Sequence, residues 1–193
     1  MVAAALALAS AGWVVSVQQM QGMDMGAATS LGSFPFFVGL WVAMMTAMML
    51  PGALPALAAP QFAAAYLAVW TIAGLAVYVL YFPHGTIVAG ILTVAAGVYE
   101  LTPLKQACRR RCRENVRSGS QFGLYCIGSS IGLMVVLLAV GAMNVTWMIV
   151  IATLVVAQKL LPPRALLDRP LALALVGLGI AIAAAPSAIP GIT

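Results

Sequence analysis

Long apolar stretches, separated by short polar or Pro/Gly-containing breaks, repeat along the chain. We count seven, each about 20 residues long, which as a helix suffices to cross a hydrocarbon layer of roughly 30 Å. They lie near 2–19, 34–54, 62–82, 86–103, 121–142, 145–161 and 171–189. None shows the alternation of barrel strands, and backbone amides in lipid must be satisfied within the segment. The pattern predicts an all-α fold: a polytopic transmembrane helical bundle of about seven helices, one domain over 1–193, with no soluble domain.

The composition agrees with a protein that lies in a lipid bilayer. Hydrophobic residues make up 64% of the chain, charged residues 7%, and the mean hydropathy is +1.09. These values exceed what a soluble domain needs to fill one core. The first apolar run contains a small-residue sequence, "ALAS" (7–10), similar to a signal-peptidase site, but it lacks the positively charged start of a secretory signal. We therefore expect it to remain as the first helix.

The cations are concentrated in one short segment. Six of the nine lie within thirteen positions: Lys105, Arg109, Arg110, Arg111, Arg113 and Arg117. Because short loops rich in Lys and Arg stay cytoplasmic, this segment is expected on the cytoplasmic side of a bacterial inner membrane. The other three, Lys159, Arg164 and Arg169, are expected in a loop two crossings away, hence on the same side. This places the N-terminus inside and the C-terminus outside.

The basic segment is therefore a topology signal, with attraction to anionic lipid headgroups as a second effect. No base-reading module accompanies the charge, so we expect no nucleic acid partner. Internal repeats of the kind used by many transporters are missing from the sequence, which weakens a transporter hypothesis.

Methionine is unusually frequent, with eleven residues in the chain, seven of which lie in two clusters. The first cluster is expected on the outer side, with Asp24 among Met20, Met23 and Met25. The second lies in the second helix and consists of Met44, Met45, Met48 and Met49. Thioethers are soft ligands that select Cu(I), so the outer cluster could capture copper with His84 completing the site. Met44 and Met48 lie one turn apart and could line a path, although methionine also serves as an adaptable core residue.

Cys108 and Cys112 lie four residues apart in the basic segment. On a helix continuing past the membrane they would share a face, and the neighbouring arginines favour the thiolate form. Two thiolates could hold one Cu(I) or half of a zinc site, or the pair could be reduced thiols on a solvated turn. Cys126, inside the fifth apolar run, is a further candidate, although a buried thiol is the usual role there. Three cysteines make no disulfide framework, and we expect them to stay reduced.

Glu100 is the one carboxylate within a predicted span, near its cytoplasmic end. Its expected partner is Lys105 or Arg109, in a pair at the membrane interface. One histidine and four acids cannot supply a Ser/His/Asp set or a pair of catalytic carboxylates. We therefore expect a non-enzymatic protein.

Several segments, taken in order, resemble a bacterial family of predicted metal-binding integral membrane proteins that carries a domain-of-unknown-function label. They are "WVAMMTAMMLPGALP" (41–55), "YELTPLKQACRRRCR" (99–113), "GLYCIGSSIGLM" (123–134), "GAMNVTWM" (141–148) and "QKLLP" (158–162). The resemblance implies metal binding. It also implies that the chain is a degenerate member, because the family has cysteines at Ser129 and Ser130, Trp at Ile131 and Glu at Gln158.

Two functions follow as hypotheses. In the first, the protein handles copper: it binds Cu(I) and stores it or delivers it to a partner membrane protein. In the second, metal binding is lost and the chain is a structural accessory subunit of a larger membrane complex, such as a copper-dependent monooxygenase or oxidase. The methionine clusters and remaining cysteines favour the first hypothesis, and the missing family ligands favour the second.

Overall fold

A computed structural model shows the chain as packed α-helices, which confirms the predicted all-α class. The structure describes residues 2–21, 32–57, 59–81, 84–114, 116, 118–141, 144–161, 165–185 and 187. Its elements are α1 (Val2–Met20), α2 (Phe34–Ala53), a 3₁₀ turn (Leu54–Ala56), α3 (Pro60–Leu80), α4 (Thr86–Glu100), α5 (Pro103–Arg113), α6 (Gly119–Gly141), α7 (Val145–Leu160) and α8 (Ala165–Ala184).

The helix starts follow local chemistry. Pro35, Pro60 and Pro103 lie in the first turns of α2, α3 and α5, where a missing amide hydrogen costs nothing. Asn144 caps α7 by accepting hydrogen bonds from two backbone amides of its first turn. These signals fix where each apolar segment enters the bundle.

The helix formed by the apolar run near 86–103 does not continue into the basic segment. α4 ends at Glu100, α5 begins at Pro103, and the two helices are bent by 62°. Thr102 caps α5 by accepting a hydrogen bond from the backbone amide of Lys105, and the proline ring prevents α4 from continuing through this point. The charged, 11-residue α5 therefore lies outside the apolar segments as an additional helix.

Both boundaries of the loop between the last two helices differ from the prediction. Lys159 lies in the last turn of α7, and α8 begins at Ala165 with Pro170 inside it. Asp168 and Arg169 are thus helical rather than part of a loop. The apolar pattern alone placed the start of this helix near residue 171, because it excluded these charged positions.

α2 is the most enclosed of the N-terminal helices, packed against α1, α3 and α7, while α6 packs against α3, α4 and α5, and α8 against α4. Among the described residues, four helices are long and apolar enough to cross a membrane: α1, α2 with its 3₁₀ turn, α3 and α6. The bent pair α4–α5 would make a fifth. That these helices cross a bilayer, like the crossing by α7 and α8, stays a prediction.

Candidate metal site at the α5 end of the bundle

The end of the bundle where α5 lies, called the α5 end below, contains a cavity of about 250 Å³. The last turns of α2 and α7, the first three turns of α6 and one face of α5 surround it. Cys112, Ser129 and Lys159 line its polar side, and Gly52 and Phe122 contribute to its apolar side. A thiol and an ammonium thus share one partly enclosed space.

The Tyr66 hydroxyl of α3 contacts residues of three other helices beside this cavity. Its oxygen lies 3.1 Å from the Cys126 Sγ, and it donates to the Met49 backbone oxygen at 3.4 Å. The Lys159 ammonium donates to the same hydroxyl at 3.4 Å and to the Met49 Sδ at 3.6 Å. Side chains from α2, α3, α6 and α7 therefore meet at one point, and two of them carry sulfur.

Cys112 faces the side of α6 that carries Cys126. Burial and proximity to Cys126 raise the pKa of the Cys112 thiol, the charge of Lys159 and the Ser129 hydroxyl lower it, and the net result is a pKa of about 12. Ser129 also donates a hydrogen bond to the backbone oxygen of Cys126 at 2.9 Å. The two thiols therefore lie on facing surfaces of α5 and α6, within electrostatic range of one ammonium.

Cys108 lies one turn before Cys112, on the same side of α5. Its Sγ packs on Gly128 of α6, so closely that a Cβ added there would lie 2.6 Å from the sulfur. The prediction that the two cysteines share a helix face therefore agrees with the structure. Neither cysteine is fully exposed, because α6 covers this face.

The remaining charges at this end are paired and buried. Glu100 and Lys105 form an ion pair, and Gln158 bridges it, donating to Glu100 at 2.8 Å and accepting from Lys105 at 3.0 Å. Arg109 donates to Asp168 at 2.6 Å. Burial lowers the pKa of Lys105, opposed by the charge of Glu100.

The partner predicted for Glu100 is thus correct, and the pair is buried inside the bundle; its position relative to a membrane interface stays a prediction. Glu100 is fully buried, and Lys105 and Arg109 are 1% and 3% exposed. Two cations of the basic segment therefore hold helices together.

The other predicted site residues lie elsewhere. Met44 and Met48 are buried in the core, as are Met45 and Met49. Met20 is 1% exposed at the end of α1, while Met23, Asp24 and Met25 fall outside the described residues. His84 lines an apolar groove of about 600 Å³ between α3, α4 and α6, with its Nε2 3.4 Å from the Ala139 backbone oxygen. The structure therefore brings Cys112 and Cys126 toward each other but does not bring His84 to them.

No group of three or more His, Cys, Asp and Glu side chains suited to a metal occurs within the described residues. The donors at the α5 end are instead two thiols and a thioether. Tyr66 and Lys159 were not among the candidates predicted from the sequence, whereas Met49 belongs to the methionine cluster of the second helix. Nothing local marks a tyrosine or a lysine as part of a sulfur cluster.

Fold and site together define an all-helical, apolar bundle with soft sulfur donors at one end. The family model of PpoB2, described as a copper chaperone, matches residues 38–182. The chain belongs to this PpoB2 copper chaperone family. No curated protein and no solved structure gave a match.

Membership agrees with the resemblance to a metal-related bacterial family, and it supports a copper-related role that is not enzymatic. The matched region includes most of α2, α3 to α7 and most of α8, and therefore also Met49, Tyr66, Cys112, Cys126 and Lys159 at the α5 end. That this chain is a degenerate form of its family stays a prediction.

Proposed function

We propose that the protein is a membrane-embedded Cu(I) chaperone that holds one Cu(I) at the α5 end and passes it to a partner membrane protein. The thiolates of Cys112 and Cys126 are the principal ligands, and the Met49 thioether is a third. The observation that carries the proposal is the Tyr66 hydroxyl, which brings Cys126, Met49 and Lys159 together beside the cavity that Cys112 lines.

The chemistry of these donors suits Cu(I). Thiolate and thioether sulfurs are soft and favour Cu(I) over hard cations, and Cu(I) accepts low coordination numbers that three donors can satisfy. A structural zinc site requires four ligands, mostly His and Cys, which this cluster does not provide. The cavity offers a route by which an ion or a partner's ligand could reach the sulfurs.

The apolar helices favour placement in a bacterial inner membrane, with the α5 end on the cytoplasmic side. Copper captured outside by Met20, Met23, Asp24 and Met25 would then have to cross the bundle. A set of buried thioethers spans part of that distance: Met44, Met45, Met48 and Met49 lie along α2 in one continuous core. We include transfer along this helix in the proposal.

The test is an anaerobic titration of the purified protein with Cu(I) against a competing chromophoric chelator. The wild type should bind one tightly held Cu(I) per chain at the α5 end. Cys112→Ser and Cys126→Ser should each abolish this binding at the same competitor concentration. Met49→Leu should weaken it about tenfold, equivalent to about 1.4 kcal/mol, because one of three donors is lost.

Met134→Leu is the matched control for Met49→Leu. Met134 is also buried, but it lies on α6 two turns beyond Cys126. Cys108→Ser distinguishes the ligand pairs, because a site made by Cys108 and Cys112 would lose copper in this variant and retain it in Cys126→Ser. A wild type that stays metal-free under excess Cu(I) would contradict the proposed function, and so would a Cys112→Ser variant that binds as tightly as the wild type.

A further inference from the structure

Lys159 carries a positive charge that the described residues leave without a carboxylate partner. Their ion pairs are Lys105 with Glu100, Arg109 with Asp168, and Arg111 with Glu114, and none includes Lys159. The acceptors around its Nζ are the Met49 thioether at 3.6 Å and the Tyr66 hydroxyl at 3.4 Å, both uncharged. The ammonium also lies 5.9 Å from the centre of the Tyr66 ring.

This arrangement differs from that of the neighbouring buried cations, each of which faces a carboxylate. An ammonium that is partly withdrawn from water loses hydration, and a nearby negative charge normally compensates for the loss. Here the groups within reach that can become negative are the cysteine thiols. Lys159 and Cys112 line the same cavity, and both Lys159 and Cys126 contact the Tyr66 hydroxyl.

We propose that Lys159 is the counter-charge of the Cu(I)–thiolate site and the residue that makes the site selective for a monovalent metal. The inference rests on the proposed function. When Cu⁺ binds, the two thiols release two protons to solvent and form a complex of one Cu⁺ with two thiolates, which carries one negative charge. The Lys159 ammonium brings the total to zero without entering the coordination sphere.

The same sum of charges disfavours the binding of divalent ions. A Zn²⁺ bound by two thiolates is already neutral, so the ammonium would leave an excess positive charge in a partly buried space. Replacing Lys159 by a neutral residue should thus weaken Cu(I) binding and strengthen Zn(II) binding relative to it. A glutamate at this position would reverse the preference, because it supplies both a negative charge and an oxygen ligand for zinc.

Gly52 of α2 provides the space in which the Lys159 side chain lies. A Cβ added at residue 52 would come within 2.5 Å of the Lys159 Cδ and 3.3 Å of its Nζ. Since these atoms belong to a flexible side chain, Gly52→Ala should move the ammonium without changing the charge of the protein. This variant separates the position of the charge from its presence.

The experiment measures Cu(I) affinity by chelator competition and Co(II) affinity by absorption, with Co(II) as the spectroscopic substitute for Zn(II). The variants are Lys159→Leu, Lys159→Arg, Lys159→Glu and Gly52→Ala, each compared with the wild type in the same detergent. Lys159→Leu, which removes the charge without adding a metal ligand, should lose on the order of 10–100-fold in Cu(I) affinity, as for other residues that act on a metal from outside its ligand sphere. Lys159→Arg should retain most of the affinity, Gly52→Ala should fall between, and Lys159→Glu should gain Co(II) binding.

If the wild type binds Cu(I) through Cys112 and Cys126 while Lys159→Leu keeps its Cu(I) affinity and its Cu(I)-to-Co(II) ratio, the role of Lys159 is wrong and the proposed function stands. A wild type that binds no Cu(I) overturns both. Loss of Cu(I) binding in Lys159→Arg equal to that in Lys159→Leu would also overturn the counter-charge role, since arginine preserves the charge. Circular dichroism of each variant establishes that the helices are retained.

Discussion

A cysteine becomes a strong copper ligand only after it loses its proton, and the surroundings of Cys112 oppose that loss. The arginines beside it in the sequence suggested the opposite, a stabilised thiolate. In the structure Cys112 is partly buried against α6, and burial raises its pKa to about 12 in spite of Lys159 and Ser129. The thiol is therefore neutral in the metal-free protein, and a metal must displace the proton to bind.

The first prediction concerns this proton. At pH 8, which is far below a pKa of about 12, Cys112 should react with iodoacetamide at least about tenfold more slowly than a small peptide thiol, because the thiolate is the nucleophile. Its rate should rise as the pH increases through 10 and beyond. Peptide mass spectrometry after timed alkylation measures it. A profile that levels off near pH 9, as for an ordinary thiol with a pKa of about 8.5, would contradict the assignment.

At the scale of the elements, hydropathy predicted where the helices lie, but it did not predict which charged residues belong to a helix. The Thr102–Pro103 pair is a local helix-start signal, yet the apolar run continued through it and concealed the break before α5. Asp168 was excluded from the last helix because it is charged. It is helical and buried because Arg109, 59 positions away, neutralises it, and no local pattern reveals such a partner.

The second prediction tests what this pair contributes. Asp168→Ala leaves a buried guanidinium without its carboxylate and should lower the free energy of unfolding by about 3 kcal/mol, because an uncompensated buried charge is costly. Arg111→Ala is the matched control, because Arg111 lies on α5 like Arg109 but its ion pair is exposed. The side chains of Arg111 and Glu114 are 62% and 59% exposed, so their pair should contribute less than about 1 kcal/mol. Unfolding in mixed detergent micelles, followed by circular dichroism, compares them.

Equal losses in the two variants would mean that Arg109 and Asp168 do not hold α8 to α5. Asp168→Asn provides a finer comparison, because asparagine keeps the side-chain oxygen that accepts from Arg109 at 2.6 Å but removes the charge. Its loss of stability should fall between that of the wild type and that of Asp168→Ala.

For the molecule as a whole, residue type identified part of the site and three-dimensional packing identified the rest. Cys112 and Cys126 were candidates because thiols are rare in this chain, and the structure places them on facing helix surfaces. Lys159 was assigned to a loop as a topology signal, and Tyr66 is one of five tyrosines with no distinguishing neighbour in the sequence. The contact between them crosses 93 positions, so only the approach of the two side chains at the bundle end could reveal it.

The third prediction concerns orientation in the membrane. In a cysteine-free background, Glu114→Cys introduces a thiol at the α5 end and Gly85→Cys introduces one just before α4, at the opposite end. Both positions are exposed, and a side chain at residue 85 has no neighbour within 4 Å. Because cationic segments stay on the cytoplasmic side, a membrane-impermeant maleimide should label Gly85→Cys in intact cells and Glu114→Cys only after permeabilisation.

The orientation decides which compartment the cavity opens to, and therefore from which side copper or a partner reaches Cys112. Labelling of Glu114→Cys in intact cells would place the cavity outside. The cationic turns would then have crossed the bilayer against the usual bias, and the delivery proposed here would run to an external partner. Equal labelling of both positions before and after permeabilisation would instead show that the two ends are not separated by a membrane.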